Sequence, residues 1–137
     1  MNLHRAYLLL IPLFLFMHQA SQAGELENLP SPVNKSKVAD DKVRLAEKYE
    51  LGKGVSIDLE KAYKLYSEAA EQGNAEALFR CGYMANEFED NGNAVRFLVL
   101  SAKQGYAPAE YLLGHAYERG RGVETNLEVA VRLYTRA

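Results

Sequence analysis

Leu51-Gly52-Lys53-Gly54-Val55 returns as Arg119-Gly120-Arg121-Gly122-Val123, 68 residues later, and the flanking sequence returns with it. Tyr49 matches Tyr117, Leu59 matches Leu127, Ala62 matches Ala130, and Leu65-Tyr66 matches Leu133-Tyr134, without a gap. Self-similarity at a fixed distance marks a repeat architecture, so the fold is read from the repeat.

The first unit runs from about residue 38 to 74. Its first helix carries Val43, Leu45, Ala46 and Tyr49. Gly52 ends it, because glycine takes the left-handed conformation without a Cβ penalty. Asp58 stands where an N-cap belongs. Leu59, Ala62, Tyr63, Leu65, Tyr66, Ala69 and Ala70 then follow the i, i+3, i+4 pattern of a second helix, closed by Gly73.

A second unit, 75–106, aligns with a third, 107–137, at a shift of 32 across Ala75-Glu76-Ala77 and Ala107-Pro108-Ala109. Asp90 and Asn126 fall on Asp58, so all three units place Asp or Asn at one cap. The second unit is four residues shorter between its helices and lacks the Gly-x-Gly-Val turn. Asn91-Gly92 is expected to turn the chain instead. The third unit stops at Ala137, which aligns with Ala69, and is expected to be truncated inside its second helix.

Small residues recur in register. Ala46, Gly82 and Gly114 share one position, and Ala62, Ala94 and Ala130 another. Glycine in a helix interior costs about 1 kcal/mol, so close helix packing is the better reading of this register. Gly114→Leu is then expected to overpack a contact at ~1–3 kcal/mol. Glu110, expected to be exposed, should tolerate leucine within about 0.5 kcal/mol.

Residues 1–23 read as a signal peptide. Arg5 supplies the charge, Ala6 to Met17 the apolar run, and Ser21-Gln22-Ala23 the small residues of a cleavage site before Gly24. The run is too short for a membrane span, which needs about 20 residues. Residues 24–37, with Pro30 and Pro32, read as a flexible linker, and residues 38–137 as the repeat domain. The mature chain is expected to be periplasmic or secreted, with no membrane insertion after cleavage.

The net charge is −2, which gives no surplus of Lys and Arg for nucleic acid. After the leader, His115 and Cys81 are the only histidine and cysteine, too few for a zinc site of the usual kind. The glycines of the two turns follow helices rather than strands, so they do not read as phosphate loops. No Gly-x-Ser-x-Gly elbow is present. The chain is expected to have no cofactor and no catalytic residues. Cys81 reads as a small buried hydrophobe; a reactive or intermolecular thiol is the alternative.

Leu113-Gly114-His115-Ala116-Tyr117-Glu118-Arg119-Gly120-Arg121-Gly122-Val123 resembles the first-helix and turn pattern of the Sel-one-like repeat (SLR) family, relatives of the tetratricopeptide repeat. Asp58 to Gly73 resembles its second-helix pattern, and the resemblance covers Val38 to Ala137. It implies an all-α fold, a right-handed α/α superhelix of about three helix pairs. It also implies an adaptor that holds other proteins. Exported bacterial members are tied to envelope assembly, host interaction or control of peptidoglycan enzymes. A cysteine-rich branch has been credited with β-lactam hydrolysis, but it carries cysteine pairs where this chain has Cys81 alone. An envelope hydrolase and a truncated gene product are the alternatives to an adaptor.

Repeats of this kind present a concave face built mainly from first helices. Two aligned rows fall on one stripe there, Val43, Phe79 and Tyr111, and Glu47, Tyr83 and His115, four residues apart. Four of the six are aromatic or histidine, and Tyr in particular is enriched at recognition surfaces. Packing between neighbouring repeats is the plainer explanation of the same stripe. Arg44, Arg80 and Glu76 flank it as rim contacts. A protein or peptide is the expected partner, and self-association through the apolar side of 127–137 is a further one.

Overall fold

The computed structural model describes residues 37–137. The expected leader and nearly all of the expected linker lie outside the described residues; Lys37 already opens the first helix. Among the described residues there are helices and turns only. They are α1 (Lys37–Leu51), α2 (Leu59–Glu71), α3 (Ala75–Glu87), α4 (Asn91–Lys103), α5 (Ala107–Arg119) and α6 (Leu127–Arg136). Each helix packs on the next in the chain. The result is three antiparallel pairs stacked as a solenoid: α1 with α2, α3 with α4, and α5 with α6.

The caps fall where the repeat puts them. Asp58 accepts from the Lys61 amide at 2.9 Å, Asp90 from the Asn93 amide at 3.3 Å, and Asn126 from the Val129 amide at 3.0 Å. Each satisfies an amide that its helix leaves without an internal partner. Gly52 and Gly120 take left-handed φ of 68° and 67° after α1 and α5.

The short second unit turns differently from expectation. Asn91 and Gly92 do not turn the chain; they are the first residues of α4. Asp90 caps that helix, so the reversal must be complete before it. Phe88 and Glu89 complete it, and Glu89 takes a left-handed φ of 62°. A non-glycine residue there costs roughly 1–2 kcal/mol. The connection is too short to place a glycine turn between helix end and cap.

Close packing of the small residues is seen directly. A Cβ on Gly82 would stand 3.1 Å from Leu98 Cγ and 3.2 Å from the Ala94 carbonyl oxygen. One on Gly114 would stand 2.8 Å from Tyr134 Cε1 and 3.3 Å from the Ala130 carbonyl oxygen. Ala46, Ala62, Ala94 and Ala130 are all buried. Two core clusters result. One is centred on Tyr66, Leu78 and Cys81, the other on Leu98, Leu113 and Leu133. Full burial of side chains such as Leu78 contributes about 1.5–3 kcal/mol each.

Glu110 corrects the expectation of an exposed site. Its side chain is 2% exposed, and Oε1 lies 2.7 Å from Arg136 Nη2 on α6. That contact is an ion pair without hydrogen-bond alignment, since the same oxygen meets no donor at a bonding angle. The aligned positions explain the burial. Lys42 takes this place in the first unit and pairs with Glu68 at 2.7 Å. Leu78 and Leu100 take the two places in the second unit, both within the first core cluster. The position faces the partner helix in every unit. Its chemistry runs Lys–Glu, Leu–Leu, Glu–Arg along the chain.

Candidate functional site

The stripe divides into three environments. Val43 is buried in the first core cluster. Glu47 is half-buried, with Oε1 3.9 Å from Lys53 Nζ. Phe79 and Tyr83 form an aromatic pair on α3, ring centroids 6.3 Å apart, and Tyr83 is exposed. Tyr106, from the link between α4 and α5, packs on Phe79 at 5.4 Å. Tyr111 is exposed but turns to Tyr134 of α6, at 5.6 Å. His115 is half-buried at the junction of the second and third units. The structure therefore brings Phe79 and Tyr83 together and separates them from Val43 and Tyr111.

Tyr106 was not legible as a site residue, though it left a signal. At the shift of 32 it falls on Asn74, whose side chain caps α3 through the Ala77 amide at 2.9 Å. Tyr106 has no capping bond. An aromatic in a capping position has to pack somewhere, and it packs on Phe79.

The expected rim is more ordered than its sequence suggests. Arg80 lies between helices, with Nη1 3.7 Å from Glu50 Oε2 and Nη2 4.0 Å from Glu76 Oε1. Tyr66 donates to the same Glu50 oxygen at 2.6 Å, and the Arg80 guanidinium sits 6.0 Å from the Tyr66 ring centroid. Burial, and next the bond to Glu50, push the Tyr66 phenol well above its ordinary value. Glu50, Tyr66 and Arg80 thus seal the first junction with one polar cluster.

The second junction lacks that seal. Asn86, Leu98 and Leu112 stand where Glu50, Tyr66 and Arg80 stand in the first. A small solvent-open recess results, with a floor of Ala94, Val95, Leu98, Leu112 and Ala116. Asn86, Asn91, His115 and Arg121 line it with polar groups. The third unit restores the lost bond within itself, where Tyr134 donates to Glu118 Oε2 at 2.9 Å.

Cys81 is fully buried, its Sγ 3.9 Å from Ser67 Oγ. Burial pushes its thiol up to about 12, so at neutral pH it is not a thiolate nucleophile. Among the described residues no three His, Cys, Asp or Glu side chains converge as a metal site would need. No described helix is long and apolar enough to cross a membrane.

The Sel1 repeat model matches residues 42–74, 75–106 and 107–137. The chain is 35% identical over 80 residues to mouse DAP3-binding cell death enhancer 1, covering 57% of this chain and 16% of that protein. It is 30% identical over 123 residues to the yeast chitin synthase regulator SKT5, covering 85% of this chain and 16% of that protein. It thus matches about a sixth of the length of these curated relatives. Two solved structures share the fold. One is c5321, a protective antigen of uropathogenic Escherichia coli with an SLR fold, at TM-score 0.65 and 35% identity over 72% of this chain and 22% of that one. The other is a Sel1 repeat protein from Oxalobacter formigenes, at TM-score 0.66 and 25% identity over 75% and 81%. Three consecutive repeat matches that coincide with three stacked helix pairs make this chain a member of the Sel1 repeat family.

Proposed function

We propose that this chain is an exported scaffold that grips a protein or peptide partner on the face built by α3 and α5. Sel1 repeats generally mediate protein–protein interaction and are generally non-catalytic. The observation that carries the reading is exposed Tyr83 paired with half-buried Phe79, buttressed by Tyr106 and bordered by the pinned Arg80. Rigid aromatics beside an ordered arginine are the usual makings of a binding hot spot. A DAP3-binding protein among the relatives supports a protein as partner. The leader-like residues 1–23 support a periplasmic or secreted location.

The test is crosslinking capture from a periplasmic extract, with the chain from Gly24 onward as bait. Tyr83→Ala is expected to reduce capture of the specific partner about 30-fold, the equivalent of roughly 2 kcal/mol. Glu60→Ala, an exposed site on the opposite helix row, is the control. Equal capture by wild type, Tyr83→Ala and Glu60→Ala would remove the α3 face from the interaction.

A second reading is carried by Val131. Tyr63 and Val95 hold its place in α2 and α4, and they are 3% and 9% exposed within the two core clusters. Val131 is 62% exposed. The same face is covered twice within the chain and open in α6, which fits pairing with a second copy. Hydrogen exchange over Asn126 to Ala137 is expected to slow as protein concentration rises. Exchange that is independent of concentration would exclude the pairing.

A further inference from the structure

We propose that the recess at the second junction anchors the C-terminal residue of a bound peptide, its aliphatic side chain on the floor and its carboxylate among Arg121, His115, Asn86 and Asn91. The proposal rests on the scaffold reading and narrows it to one ligand chemistry. The floor is aliphatic throughout, while the four polar side chains lie around it. None of the four side chains has a hydrogen bond or ion pair among the described residues. All four offer N–H donors, and Arg121 brings a fixed positive charge that pairs with a carboxylate in two parallel bonds. The recess is small and open to solvent. It therefore suits one residue rather than a folded surface. A C-terminal residue is the one that carries an aliphatic side chain and a carboxylate on the same Cα. Capture of a terminal carboxylate is a recurring mode of peptide recognition.

The loop that carries Arg121 is held against the recess. Gly120 and Gly122 have φ of 67° and 73°, and a Cβ on Gly122 would collide with the Asn91 carbonyl at the start of α4. Gly54, its counterpart in the first unit, has φ of 76° and nothing within 4 Å of the same added atom. Alanine strains the backbone alike at both positions. Only at Gly122 does it also push the loop off α4 and carry Arg121 away.

The test is a titration of the full-length, isotope-labelled chain with acetyl-Gly-Gly-Leu bearing a free carboxylate, followed by NMR. Saturable shifts are expected at the Asn86 and Asn91 side-chain amides and at His115. The C-terminal amide of the same peptide, and the Arg121→Gln variant with the acid, are each expected to bind about tenfold more weakly or worse. Gly122→Ala is expected to lose binding while Gly54→Ala keeps it, with both variants folded at the temperature of the titration. Equal binding of acid and amide would overturn the proposal, as would equal binding by Arg121→Gln. A tighter response to acetyl-Asp-Leu-amide than to the acid would assign the carboxylate to a side chain and overturn the terminal source. Shifts confined to Phe79 and Tyr83, or none at all, would overturn it too. The scaffold reading stands or falls separately, on the Tyr83 capture.

Discussion

Gly114→Leu is expected to lower the melting temperature by roughly 10–20 °C, an overpacking cost of about 2–3 kcal/mol at ~4–8 °C per kcal/mol for a domain of this size. The reason is the nature of the atoms in the way. Tyr134 Cε1, 2.8 Å from an added Cβ, belongs to a side chain that can swing outward, although that movement would break its bond to Glu118. The Ala130 carbonyl oxygen, at 3.3 Å, belongs to the backbone of α6 and moves only with that helix. Leucine adds three more carbons to that Cβ, so α5 and α6 must separate. Gly92→Leu supplies the comparison. An added Cβ there has nothing within 4 Å, and leucine is a better helix former than glycine. Its melting temperature should equal or slightly exceed that of the wild type. Two variants with equal thermal stability would mean that α5 and α6 are not in close contact.

Arg136→Ala is expected to cost about 3 kcal/mol in urea denaturation. This is the low end for breaking a buried pair, because Arg136 is itself 61% exposed and loses little. The damage is to Glu110, whose carboxylate is left with its burial and without its counterion. The double variant Glu110→Leu with Arg136→Leu copies the second unit, where Leu78 and Leu100 hold the same places. It is expected to recover wild-type stability or exceed it, as apolar replacements of buried ion pairs commonly do. Removal of Lys42 should matter far less. Its pair with Glu68 is 30% and 36% exposed, and such pairs contribute under about 1 kcal/mol. Wild-type stability in Arg136→Ala would show that the carboxylate does not depend on its partner.

The helix pairs were legible because the same residues recur in register: a capping Asp or Asn, a small residue on each facing helix, and glycine where the backbone turns left-handed. Glu110 was not legible from its own helix. Its inward direction shows only when Lys42, Leu78 and Glu110 are read as one column, and two charged residues in three conceal a core position. The stripe was legible as a helix face, but what covers that face differs from unit to unit. Tyr106 reaches Phe79 from a linking segment, Tyr134 reaches Tyr111 from the next helix, and the core encloses Val43. The recess depends on columns that lie on three helices at once: Glu50 with Asn86, Tyr66 with Leu98, and Arg80 with Leu112. A periodicity along one helix cannot display a loss shared among three.

The reversed ion pairs bear on how the chain finds its own partners. The first and third units share their turn and much of their helix-packing pattern, being identical at 12 of 28 aligned positions (42–69 against 110–137), and similar units in one chain invite misassembly. If α1 closed on α6 in the native register, Lys42 would face Arg136. If α5 closed on α2, Glu110 would face Glu68. Each wrong match sets like charges together where each right one joins opposites, and like charges in contact oppose the match. The polarity of these two contacts acts as an address label, which helps helices of the same repeat pattern meet the neighbour that is theirs. A chain with Lys42→Glu and Glu68→Lys would keep its local ion pair and lose the label.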